Sequence, residues 1–187
     1  MKKYISVLLI MLSFQAVAQL TDSSLPPLDK SPMDMSYYPD NYPILKIQGK
    51  ATEPLVMRVV YSRPQINSRK IFGDLQPYGN VWRLGANEAT EIDFFNDVKV
   101  NGKKIKKGRY TLYAIPYPDK WTLIINKDTD TWGSFRYDST KDAVRMDLPV
   151  KKNEITQAMT IVFTKTIEGA NMDMYWEDVK VSLPIVL

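Results

Sequence analysis

The densest set of chemistry-bearing side chains lies in residues 75–94, LQPYGNVWRLGANEATEIDF. Arg83 presents a planar fork of donors suited to a carboxylate or phosphate. Asn87 offers both a donor and an acceptor, and Glu88 offers acceptors. Trp82 and Tyr78 bring aromatic faces for a sugar ring or another apolar ligand. Gly79 and Gly85 hinge the stretch, which has no clear strand pattern. Polar groups mixed with aromatics on a loop held by a rigid scaffold are a common way to build a site. The structural alternative is that Arg83, Asn87 and Glu88 pair with backbone and with one another to pin a long loop while Trp82 fills the core.

Three other groupings merit weighing. Glu91 and Asp93 are two apart on an expected strand, which puts them on one face about 6.6 Å apart along the backbone. Paired carboxylates are the equipment of a glycosidase, but acids alternating with Ile92 and Phe94 also describe the wet face of a half-buried strand. Asn126, Asp128 and Asp130 alternate in NKDTDTWG, like the opening of a calcium loop without its later glycine and distal glutamate. Lys99, Lys103, Lys104, Lys106, Lys107 and Arg109 crowd one turn. They could touch an anionic glycan or a lipopolysaccharide head group, or guard an edge strand. Of the remaining tryptophans, Trp121 and Trp176 sit on apolar faces and read as core. Trp132, beside Gly133, reads as an exposed stacking platform.

Much chemistry is excluded outright. The 187 residues contain no cysteine and no histidine. Disulfides, thiolate sites, imidazole ligation and Ser-His-Asp triads are therefore absent. There is no G-x-S-x-G elbow and no S-x-x-K motif, and no cofactor is implied. With 44% hydrophobic and 25% charged residues and a mean hydropathy of −0.28, the composition is that of an ordinary globular protein.

The elements that would position these residues show a period of two. Leu55, Met57, Val59 and Tyr61 share a face, as do Thr90, Ile92 and Phe94, and then Trp121, Leu123 and Ile125. The same holds for Val144, Met146 and Leu148, for Met172, Met174 and Trp176, and for Val179, Val181 and Leu183. Asn101-Gly102 marks a two-residue hairpin. Residues 116–119 mark a second hairpin, and Gly169 separates two further runs. No window carries a helical stripe. Eight to ten short strands predict an all-β fold, a single antiparallel β-sandwich or jelly-roll-like domain with little helix.

The amino terminus reads as an export signal. Lys2 and Lys3 precede an apolar run from Tyr4 to Phe14, and Ala16-Val17-Ala18 forms a cleavage site. The run is too short to span a bilayer, which takes roughly 20 residues. Cleavage before Gln19 would leave no cysteine for lipidation, so no membrane anchor is expected. It would also lower the formal charge from +4 to +2, which gives little reason to expect a nucleic-acid partner. Residues 19–30 read as an extended leader, with Pro26, Pro27, Pro32, Pro39 and Pro43 in and after it. Residues 31–187 form the expected domain, exported to the periplasm or beyond.

One family pattern is visible. Tyr61-Ser62-Arg63-Pro64, Ile71-Phe72-Gly73 and the stretch PYGNVWRLGANEAT are followed by Gly108-Arg109-Tyr110-Thr111-Leu112, Trp121 to Lys127, and Trp132-Gly133. Together they resemble the bacterial domain of unknown function 2911 family over roughly residues 31–185. The resemblance implies an exported, β-rich domain, frequent in Bacteroidetes-like bacteria, with no known activity. It adds weight to Arg63, Trp82, Arg83, Asn87 and Glu88, which fall on motif positions. The resemblance implies a histidine, carried by many relatives, shortly after the Ser-Pro corresponding to Ser31-Pro32, where this chain has Met33-Asp34.

Three functional readings stand. The first is a non-enzymatic binding module for a small anionic or saccharide ligand, using Arg63, Tyr78, Trp82, Arg83, Asn87, Glu88 and Trp132. The second is a hydrolase or lyase, which requires carboxylates such as Glu88, Glu91 or Asp93 to converge on Arg83. The third is a structural cell-envelope protein, in which the shared residues are buried and mutually paired. Oligomeric state has no signal in the sequence.

Overall fold

A computed structural model describes residues 25–187. The expected signal peptide and residues 19–24 of the leader lie outside them. Ten strands are present among the described residues: β1 (Met33–Tyr38), β2 (Met57–Ser62), β3 (Glu91–Phe94), β4 (Val98–Val100), β5 (Lys103–Ile105), β6 (Gly108–Pro116), β7 (Lys120–Asn126), β8 (Asp142–Pro149), β9 (Lys151–Lys165) and β10 (Gly169–Val186). One short helix, α1 (Tyr42–Ile47), follows β1. It is a departure from the sequence, in which no window carries a helical stripe.

The strands form two antiparallel sheets, ordered β1-β2-β3-β6-β7-β8 and β5-β4-β10-β9. Their apolar faces pack together. Met57, Val59, Ile92, Leu112 and Leu123 of the first sheet share one core with Ile161, Met172, Met174, Val181 and Leu183 of the second. This is the all-β sandwich that the alternation predicts, because a strand with one apolar face must bury it against another layer. The hairpin residues behave as expected: Asn101 and Gly102 have φ 51° and 72°, the paired positive values of a type I′ turn.

Two departures have clear causes. First, β9 and β10 run 15 and 18 residues, so not every strand is short. The apolar phase in β10 changes from even positions (Met172, Met174, Trp176) to odd ones (Val179, Val181, Leu183). An unbroken strand can do this only through an irregularity. The pairing register with β9 shifts around Glu177, whose φ is 57°. Second, Ile124 is as buried as its neighbours in β7. It packs with Tyr113 and Ala89 in a small second cluster, against Val81 and Tyr137. Loops cover that outer face of the six-stranded sheet around Ile124, while Lys120 and Thr122 on the same face of β7 bond to Asp147.

The segment that concerns function is the 28-residue connection between β2 and β3, residues 63–90. Connections this long inside a compact domain are uncommon and usually functional. This one is braced along its length. Ile66 N–H donates to Gln157 O, and Met159 N–H to Pro64 O, so its first part lines the edge of β9. Trp82 and Ala114 exchange backbone hydrogen bonds of 2.7 and 2.9 Å.

Candidate functional site

Local chemistry explains how the motif folds. The Ser62 hydroxyl donates to Ala86 O at 2.7 Å and accepts from Ala86 N–H at 2.6 Å. The Thr90 hydroxyl donates to Leu84 O, and the Trp82 indole N–H to Gly85 O. A side chain at Gly85 would place Cβ 2.8 Å from the Ser62 Oγ, so the motif needs glycine there for close approach. Leu84 and Asn87 adopt φ 54° and 59°. For leucine that left-handed backbone is costly, and it sits directly beside Arg83.

The fold divides the sequence-predicted site residues into separate places, with Glu88 bridged to Trp132 through the backbone. Arg63 clamps three elements: its guanidinium donates to Asp34 Oδ2, Met159 O and Thr160 Oγ1, at 3.0–3.1 Å. Asn87 Nδ2 donates to Asp29 Oδ2, tying the leader to the motif. Glu88 is exposed and lines a shallow depression with Glu91 and Asp130. Tyr78 lines a different depression, near Lys70, Lys152 and Glu177. Trp132 is 62% exposed, with Phe135 close by in sequence at 84%.

Trp82 and Arg83 do stay together. They line a cleft of about 200 Å³ with Arg69, Gln76, Gly85 and Trp176, among others. Trp82 is 3% exposed, so it serves core and cleft wall at once. It stacks on Trp176 at 5.8 Å and 19°, and meets Phe72 and Trp121 edge-on.

The electrostatics of this cleft are unusual. Among the described residues Arg83 Nε and Trp176 Nε1 are buried donors without an acceptor, and Arg83 has no carboxylate partner. Burial alone pushes its guanidinium below the usual range. Arg109 shows the opposite: Glu91 foremost, then Asp93, holds it above its usual range. Arg69 also lines the cleft without a carboxylate. Its Nε and Nη2 donate to the backbone carbonyls of Ile66 and Gln65 at 3.0 and 2.6 Å. No described residue lining the cleft is acidic. Two cationic residues and a tryptophan with an orphaned indole N–H therefore line one concavity, and buried donors are normally satisfied.

The remaining groupings resolve into structural contacts. Glu91 and Asp93 lie on the outer, partly exposed face of β3, as their alternation with the buried Ile92 and Phe94 predicts. They belong to an ion-pair ladder across β2, β3 and β6, with Arg58–Asp93 at 2.6 Å, Arg109–Asp93 at 3.4 Å and Arg109–Glu91 at 3.5 Å. No acid converges on Arg83 among the described residues, which is what the enzyme reading required. Asn126, Asp128 and Asp130 do not share a centre. Asn126 bonds to Asp138 O and Asp142, Asp128 pairs with Lys141, and Asp130 pairs with Arg109. Lys104 and Lys106 both pair with Asp97.

Three cleft residues escaped the sequence reading. Trp176 read as core, and Arg69 and Gln76 carried no pattern. The one available signal was the phase change that begins just after Trp176. There Glu177 accepts the Ile71 and Phe72 N–H groups at 3.2 and 3.3 Å, fixing the turn between Arg69 and Gln76.

Fold and cleft together define a two-sheet β-sandwich with a cationic, aromatic-walled cleft. Residues 45–185 match the family described as protein of unknown function DUF2911, and the chain belongs to that family. No curated protein and no solved structure matches it.

Proposed function

We propose that this protein is an exported, non-enzymatic binding module that captures a small anionic molecule in the Arg83 cleft. One observation carries the reading: Arg83, which has no carboxylate partner and an Nε without an acceptor among the described residues, lines an acid-free cleft beside Trp176 and a second arginine, Arg69. An oxyanion supplies the countercharge that the partly buried Arg83 guanidinium lacks. The left-handed Leu84 fits a backbone held strained to present its neighbour. Export rests on the amino-terminal segment, with a mature chain beginning at Gln19.

Trp82 and Trp176 make the cleft self-reporting. Titrating propionate, succinate and inorganic phosphate while following tryptophan emission should give a saturable change with at least one of them. Arg83→Gln should abolish it with the fold intact by circular dichroism. A saturable signal that survives Arg83→Gln, or none with any of the three anions, rejects the reading. Mass spectrometry of the protein recovered outside the cytoplasm should find Gln19 at its start; an intact Met1 there would reject export by cleavage.

A further inference from the structure

Resting on that reading, we infer that the ligand is a dianion of single-metabolite size: a small dicarboxylate or a phosphate monoester. The cleft holds two guanidinium groups, and the second is prepared differently from the first. Arg83 is partly buried and without an acceptor at Nε. Arg69 is exposed, and two backbone carbonyls grip one edge of its fork. A carbonyl grip orients the group without neutralising it, since a carbonyl brings no formal charge. Nη1 and one Nη2 hydrogen remain for a ligand, because a guanidinium has five N–H donors.

A single carboxylate satisfies one such fork bidentately. It would leave the other guanidinium of the cleft without an anionic partner. A second negative charge removes that imbalance. The volume of about 200 Å³ lies below the roughly 300–1,000 Å³ of sites for drug-sized ligands, so the occupant is a single small acid. The Glu177 carboxylate, by holding the Ile71–Phe72 turn, keeps the Arg69 and Gln76 ends of this loop in place.

The test compares charge at matched size. Wild-type protein is titrated at about pH 8, where a phosphate monoester is doubly ionised, with butyrate against succinate and with diethyl phosphate against ethyl phosphate. In at least one pair the dianion should bind roughly tenfold tighter or more, the size of one added charge-assisted contact. The pair that shows it identifies the carboxylate or phosphate source. Arg69→Gln should erase the preference while leaving monoanion binding in place, and Arg69→Lys should keep part of it. Equal affinity for both members of each pair, with Arg83→Gln abolishing all binding, overturns the dianion and leaves the cleft standing. A preference that survives Arg69→Gln also overturns it. Absence of any binding, or binding indifferent to Arg83→Gln, overturns the cleft and the dianion with it.

Discussion

Replacing Arg83 by methionine should stabilise the unliganded protein. Most arginine substitutions at a half-buried position cost stability, because the guanidinium holds something. Arg83 holds nothing through its side chain among the described residues. Its Nε is a buried donor without an acceptor, and burial lowers its pKa from the ordinary value with no carboxylate to offset it. A buried unsatisfied donor costs about 1–3 kcal/mol, more when charged, and methionine keeps much of the apolar stem. A net gain of about 1.5 kcal/mol would raise Tm by about 3–6 °C in a domain of this size. Calorimetric melts in dilute buffer free of multivalent anions would read it. A ligand at ten times its Kd would then stabilise the wild type by about 1.4 kcal/mol and the variant not at all, closing the gap. A fall in Tm of more than about 3 °C in the variant without ligand would refute the reasoning, since it would mean that Arg83 supports the fold.

Other perturbations test the scaffold. Glu177→Ala removes the carboxylate that accepts two backbone N–H groups of the 71–72 turn and should cost about 2 kcal/mol by urea denaturation; a loss under about 0.5 kcal/mol would show the turn is held otherwise. Gly85→Ala drives a Cβ to 2.8 Å from the buried Ser62 Oγ, and overpacking of this kind should destabilise by about 1–3 kcal/mol. In the double variant with Ser62→Ala the added cost of the Gly85 change should shrink, because the clashing oxygen is gone. Asp97 is held below its ordinary carboxylate value, chiefly by Lys104 and then by the Lys107 N–H. A carboxylate depressed in the folded state stabilises fully above its unfolded value and loses that contribution as pH falls through the folded one. Asp97→Asn should therefore melt below wild type at pH 7, and the difference should vanish in strong acid; a gap that persists there would point to a cause other than charge.

Much of the fold was legible because its signals are local. Side chains alternate across a strand with a fixed period of two, so Met57, Val59 and Tyr61 announced a buried face that is 0–1% exposed. Asn101-Gly102 announced its turn because few residues tolerate two positive φ values in succession. The six-residue α1 was not legible, since Pro43 fits a first helical turn as readily as an extended chain. Nor was the second face of β7, because the loops that cover Ile124 come from elsewhere in the chain. The candidate site was legible only in part. Arg83 and Trp82 stood out by type and spacing, but Arg63 looks the same in sequence and proves to be clamped by Asp34, Met159 and Thr160.

The sequence by itself determined a β-sandwich of antiparallel strands, the hairpins that join neighbouring strands, and the stretch in which functional residues had to be sought. Period and turn chemistry are properties of a few consecutive residues, and burial acts on them one strand at a time. Only the tertiary structure decided which side chains face one another. Arg69 and Arg83 belong to one connection and Trp176 to a strand far along the chain, and they meet because residues 63–90 pack over the irregularity in β10. Whether a charged group is paired or orphaned depends on those long-range neighbours. The same residue type therefore became a clamp at Arg63, part of an ion-pair ladder at Arg109, and an unsatisfied cation at Arg83.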